Sequence, residues 1–217
     1  MKKLLSYLWP QKSGTLKTTF LPHVELNMHN GKLHIDGMNV NYSYGALHDV
    51  FRKVIYHKKA AFKLAKNVLI LGFGAGSVAK ILIQEQKLDH LNITGIEAEL
   101  EMISLSKQCL PKAIFSKITL INEDAEVWIN EQEAKFEIII IDLFIEDKMP
   151  VFCGTKLFVE NLAKSLLKNG MIIWNTLAHN DSQTLINKMM ETNGICFIEN
   201  MELFHENNVL IFSKDQD

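Results

Sequence analysis

Four short apolar runs in this chain end in residues able to bind or react with a small molecule. Val68–Leu71 stops at Gly72 and opens the loop Gly72-Phe73-Gly74-Ala75-Gly76; LNITGIE closes on Glu97; KITLIN is followed by Glu123 and Asp124; FEIIIID closes on Asp142. Glycines remove side chains where the backbone must bend or a ligand comes within contact distance, and a helix after them presents free N–H groups. The spacing is G-x-G-x-G and not the G-x-G-x-x-G of dinucleotide sites, which favours a smaller nucleoside over a pyrophosphate. Glu97, about twenty residues beyond the loop, is placed to accept hydrogen bonds from both ribose hydroxyls. Asp124 can accept from the exocyclic amine of adenine, or cap the helix DAEVWINEQ that follows it. Together these residues point to an adenosine ligand.

The elements that must hold these groups follow from hydrophobic period. VLIL and FEIIIID are unbroken apolar runs, as in parallel strands buried on both faces, and helical period returns after Gly76, Glu97, Asp124 and Asp142. With MIIWN and the helix SQTLINKMMETNG as a fifth unit, these alternations predict a doubly wound α/β sheet, whose ligands bind beyond the carboxyl ends of its strands. ICFIEN and NVLIFSK predict a terminal antiparallel hairpin that reverses one edge. One helix is predicted over 46–66. SLLKNG reads as a helix end, with Lys168 in the last turn and Gly170 just past it. Upstream, LKTTFL, HVELNMH and KLHIDG around an Asn30-Gly31 turn predict two or three antiparallel strands. Such strands must pack on the main domain or pair with another copy of the chain. The expected division is a tail and small β region over 1–45 and a nucleoside-binding domain over 46–217. Tyr44 and His48 sit at that junction, a favoured place for a pocket.

Composition excludes several functions. The 217 residues carry a net charge of −2, and Arg52 is the only arginine, so neither nucleic acid nor bidentate phosphate recognition is expected. Cys109, Cys153 and Cys196 are scattered, and His23, His29 and His34 do not converge in a simple hairpin register, so no disulfide framework or metal site is expected. No apolar run has the length of a membrane span, and Pro10 ends the opening apolar stretch early. A soluble, cytoplasmic protein is expected.

In the order GKLHIDGMNVNYSY, VLILGFGAGS, IEAELEMISLSKQCLP, EDAEVWI, FEIIIIDLF and LFVENLAKSLLKNGMIIWN, residues 31 to 175 resemble the class I S-adenosylmethionine-dependent transferases. Within that superfamily they are most similar to the spermidine synthase group. The resemblance implies a Rossmann-like methyltransferase sheet and a cofactor that is S-adenosylmethionine or its decarboxylated form. It implies a small amine as acceptor, with no metal. Glu97 would then hold the ribose, Asp124 would face the adenine, and the loop from Gly72 through Phe73, Gly74, Ala75 and Gly76 would pass beside the amino acid portion. Asp142 would deprotonate or orient the attacking amine. Tyr44 and His48, from their place at the junction, and Glu146 and Asp147, in the loop after Asp142, are the further candidate acceptor contacts. The chain departs from the group at Ala75 and Ile145, where aspartates are usual, and at Gly45, where a glutamine is usual. A polycation would lose carboxylate partners there. Methyl transfer to another small acceptor, or nucleoside binding without turnover, are the alternatives.

Overall fold

The computed structural model describes residues 11–16, 24–29, 32–37, 41–43, 46–145, 148–177, 182–192, 194–203 and 207–215. Four strands, β1 (Gln11–Leu16), β2 (Val24–His29), β3 (Lys32–Gly37) and β4 (Asn41–Ser43), form an antiparallel sheet in that order. β2 and β3 pair with His29 opposite Lys32, and the predicted Asn30-Gly31 turn lies outside the described residues. The first strand is QKSGTL and not the predicted LKTTFL, most of which lies outside the described residues. Its register shifts between Lys12 and Gly14, a bulge that alternation alone does not show.

The chain then enters α1 (Ala46–His57) and α2 (Lys59–Leu64). The single helix predicted here is broken at Lys58, whose ψ of 15° leaves helical geometry. Glu199 explains the break: it takes Lys58 Nζ and, at 3.2 Å, His57 Nε2, so both residues are drawn to one carboxylate. Beyond the kink Phe62 and Ala65 reach the same core as Val54 and Ile55.

Next come β5 (Asn67–Leu71), α3 (Ser77–Lys80) continued by a π turn over Ile81–Glu85, β6 (Asn92–Glu97), α4 (Leu100–Cys109), α5 (Lys112–Phe115), β7 (Ile118–Asn122) and α6 (Ala125–Glu131). The chain closes with β8 (Phe136–Ile141), a 3₁₀ turn at Val151–Gly154, α7 (Lys156–Ser165), β9 (Leu166–Leu177), α8 (Ser182–Met190), β10 (Ile195–Glu202) and β11 (Asn207–Lys214). The large sheet has the order β10-β11-β9-β8-β5-β6-β7. Its pairings are parallel from β9 to β7, and β11 and β10 are antiparallel. Parity divides the core: Val68, Ile70, Ile138 and Ile140 face α1 and α3, whereas Leu69, Leu71, Ile139 and Ile141 face α6, α7 and α8. Both faces are covered, so β5 and β8 need unbroken apolar sequence.

The predicted helix end around Lys168 and Gly170 is corrected. α7 stops at Ser165, and Lys168 and Gly170 lie within β9. Asn169 takes φ +60°, and pairing with β8 slips between Phe136 and Ile138, so the Asn-Gly pair forms a strand irregularity and not a helix cap. Lysine amines close the true helix end: Lys135 Nζ donates to the Lys164 carbonyl, and Lys214 Nζ donates to those of Ala163 and Leu166.

Candidate active site

The chain builds β5, β6 and β7 outward in one direction and then returns to place β8 on the other side of β5. This reversal opens a crevice at the carboxyl ends of β5 and β8, the position at which open α/β sheets bind ligands. The described pocket there is lined by the ends of β5, β6, β7 and β8 and by Leu143, Phe144, Ile145, Pro150 and Phe152.

Gly72 leaves β5 with φ +82°, and its N–H and that of Phe73 both donate to the Ile96 carbonyl, at 3.1 and 2.9 Å. A Cβ at Gly72 would stand 2.2 Å from the Asp142 carbonyl oxygen, so the crossing of the β5 and β8 ends requires glycine. Gly74, at φ +55°, lines the pocket, and a Cβ there would meet only Met102 Cε at 3.8 Å. The cleft is therefore open at the point where a ligand would touch backbone. Phe73, Ala75 and Gly76 do not line it. Phe73 and Ala75 are buried, at 3% and 1% exposure, and a Cβ on Gly76 would strike Leu110.

Glu97 ties the loop to β6. One carboxylate oxygen accepts the Gly74 N–H at 2.7 Å and the other accepts the Glu99 N–H at 3.0 Å. Burial pushes its pKa up and those two N–H groups pull against the rise. Each oxygen keeps further acceptor capacity toward the pocket that Glu97 lines. Asp124 both lines the pocket and caps α6, its Oδ1 accepting from Glu126 N at 2.7 Å and Val127 N at 3.4 Å. The cap and the pocket position are thus compatible.

Asp142 follows the last residue of β8, and its own N–H donates to the Leu71 carbonyl. Its Oδ1 accepts from Asn175 Nδ2 at 2.9 Å. Burial raises the Asp142 pKa to about 6; the Asn175 hydrogen bond opposes the shift and the Glu97 charge adds to it. The apolar side chains Leu47, Leu143, Phe144, Ile145, Pro150 and Phe152 line the same pocket. Asn175 was not among the sequence candidates. Its signal was the polar residue that ends the run MIIW, one step beyond the pairing of Trp174 with Ile141.

His48 does not line the pocket; its neighbour Leu47 does. The His48 ring instead lies 2.7 Å from Ser77 Oγ and 2.9 Å from Glu85 Oε1. Tyr44, Glu146, Asp147 and His23 lie outside the described residues. Among the described residues no group of His, Cys, Asp and Glu side chains could hold a metal ion, and no helix is long and apolar enough to cross a membrane.

A glycine loop, a carboxylate at the end of the second strand and an enclosed aspartate beside the switch point define a Rossmann-like, methyltransferase-type domain. The chain belongs to the spermine/spermidine synthase domain family, whose model matches residues 48–210. It is 29% identical over 134 residues to the polyamine aminopropyltransferase of Ruegeria sp. strain TM1040, a match covering 55% of this chain and 45% of that protein. The chain spans less than half the length of the curated relatives it matches first. In fold it is similar to a probable spermidine synthase from Corynebacterium glutamicum, with a TM-score of 0.73 and 19% identity over 95% of this chain and 81% of that one. A putative SAM-dependent methyltransferase from Streptococcus mutans shares the fold at a TM-score of 0.64 and 16% identity, over 88% of this chain and 55% of that one.

Proposed function

We propose that this chain is a spermidine synthase-like transferase that alkylates a small amine from decarboxylated S-adenosylmethionine or from the intact cofactor, with aminopropyl transfer as the primary reaction. The observation that carries this is Asp142, a carboxylate of raised pKa held by Asn175 at the switch point, two strands from Glu97. Family membership supports the same reading.

The open backbone at Gly74 and the acceptor oxygens of Glu97 and Asp124 fit an adenosine. When bound, a sulfonium nucleoside supplies an electrophilic carbon beside its positive sulfur. Glu97 would fix the ribose and, through Gly74, the loop beside it. Asp142, with its pKa near 6, is mostly ionised at neutral pH and can take the proton that an ammonium acceptor must lose to expose its lone pair. Leu47, Phe144, Ile145 and Phe152 would hold the methylenes of the acceptor and exclude water. Tyr44, Glu146 and Asp147 remain proposed acceptor contacts, and His48 would act from behind the pocket wall. We also propose the division into residues 1–45 and 46–217. Pairing of two copies through the small β region belongs to the same proposal, with sedimentation as its test.

Side-by-side assays decide the reaction. Putrescine with decarboxylated cofactor should give an aminopropylated product by mass spectrometry, and a small methyl-acceptor panel with intact cofactor should give none. The reverse result would make the protein a methyltransferase. Nucleoside binding without either product would make it a binding protein.

A further inference from the structure

Ser77, His48 and Glu85 form a hydrogen-bonded chain behind the pocket wall, and none of the three lines the pocket. His48 is the third residue of α1, and its side chain is only 12% exposed. Ser77 is the first residue of α3, directly after the glycine loop, and Glu85 is the last residue of the π turn. Eight residues of regular α-helix would leave Ser77 and Glu85 about 80° out of line. The π turn, closed by Gln86 N donating to the Ile81 carbonyl at 2.9 Å, winds through less angle per residue and swings Glu85 back over Ser77. A π turn costs regular helix geometry, and here that irregularity brings a carboxylate to the second nitrogen of the same imidazole.

The chemistry of the pair fixes the ring. Beside a carboxylate, neutral His48 carries its proton on Nε2, and Nδ1 then accepts from the Ser77 hydroxyl. We propose that His48 is a positioning residue for the nucleoside site, acting through Ser77 to hold the glycine loop against α1, with Glu85 selecting the tautomer that lets it do so. Leu47 couples the strut to the ligand side, since it lines the pocket one residue before His48. Protonated His48 would present N–H to Ser77 and reverse the direction of that hydrogen bond. The charges facing the ring are Glu85, Lys80 and Asp49; burial lowers the His48 pKa, with Glu85 opposing the shift.

The proposal rests on the nucleoside reading for its functional effect, but its mechanical half does not. Amide hydrogen exchange without ligand is therefore the first readout, in the full chain. Ser77→Ala should speed exchange of the 72–77 amides about tenfold, the scale of one net hydrogen bond, while α4 and β7 keep their protection. Ser77→Thr, which keeps the hydroxyl, should restore the wild-type rate. The ring nitrogens of His48 should report the Nε2–H tautomer by NMR, and Glu85→Leu should shift the balance toward Nδ1–H. Calorimetry with 5′-methylthioadenosine, the thioether left by aminopropyl transfer, should show about tenfold weaker binding by Ser77→Ala and recovery by Ser77→Thr. Unchanged loop exchange in Ser77→Ala, or a wild-type Nδ1–H tautomer, would overturn the strut. Faster exchange in a protein whose wild type binds no nucleoside would uphold the strut and instead overturn the nucleoside reading.

Discussion

The two halves of the pocket hold their carboxylates by different means. On the β6 and β7 side, Glu97 and Asp124 are both gripped by backbone N–H groups, those of Gly74 and Glu99 for one and of Glu126 and Val127 for the other. On the β8 side, Asp142 is held by one side-chain amide, Asn175, among mostly apolar neighbours. Backbone donors fix a charge that only has to stay in place, and no substitution of the donor residue other than proline removes them. A single amide in apolar surroundings leaves the carboxylate pKa close to the pH at which a base must work. The difference suits the proposed roles, a rigid half for binding and a tuned half for reaction.

The largest break in this contrast should come from Asp142→Asn. Turnover should fall by about 10²-fold or more while nucleoside affinity stays within about twofold, since the shape is kept and only the proton acceptor is lost. The same substitution should stabilise the fold near neutral pH. The folded pKa of Asp142 lies above the ordinary carboxylate value, so its protonated form favours the native state in acid, and that contribution is lost as pH rises through about 6. The stability gap between Asp142→Asn and wild type should therefore widen between about pH 4 and 6 and then level, as read from urea melts.

Glu97→Gln tests the binding half. An amide cannot accept from both Gly74 and Glu99, because its NH₂ would face one of two backbone donors. Nucleoside binding should weaken by about 1–3 kcal/mol, close to the effect of Glu97→Ala, and calorimetry measures both. Near-wild-type affinity in Glu97→Gln would show that the backbone grip is not what matters. Asn175→Leu sharpens the reactive half. Its hydrogen bond favours the carboxylate, so removing it should move the acidic limb of the kcat/KM profile upward from about 6 by about one unit, lowering activity near pH 6 about fivefold and leaving it unchanged at pH 9. A limb that does not move would make Asn175 structural only. The smallest effect is expected from Asp124→Asn, which keeps a good helix cap and loses the charge. Its melting temperature should stay within about a degree, with about fivefold weaker nucleoside binding, whereas Asp124→Ala should also lose about 1 kcal/mol of stability.

Much of the binding half could be read from the chain because parallel strands deliver their last residues to one edge. The apolar runs at 68–71, 93–96 and 137–141 lie in one sheet, and the residues that close them meet in one crevice. The partners that tune these groups were harder to see. Asn175 reaches Asp142 only because β9 lies beside β8, a neighbourhood set by strand order and not by spacing along the chain. Glu85 faces His48 only because a π turn changes the helical phase, which a 3.6-residue period does not anticipate. The loop positions Phe73, Ala75 and Gly76 resembled binding positions by motif, yet Phe73 and Ala75 alternate with the pocket-lining Gly72 and Gly74 and turn toward the core, while Gly76 is closed off by Leu110. The start of β9 was displaced because Asn169 takes a left-handed conformation inside a strand, where a helix end was the simpler reading of Asn-Gly.

Aminopropyl transfer with Asp142 as the proposed base is tested by single-turnover mass spectrometry with decarboxylated S-adenosylmethionine and putrescine, run on wild type and Asp142→Asn at pH 8. Wild type should give stoichiometric aminopropylated amine and 5′-methylthioadenosine, formed about 10²-fold more slowly by the variant at equal cofactor occupancy. Equal rates in the two proteins, or no aminopropylated product from a wild type saturated with cofactor, would contradict it.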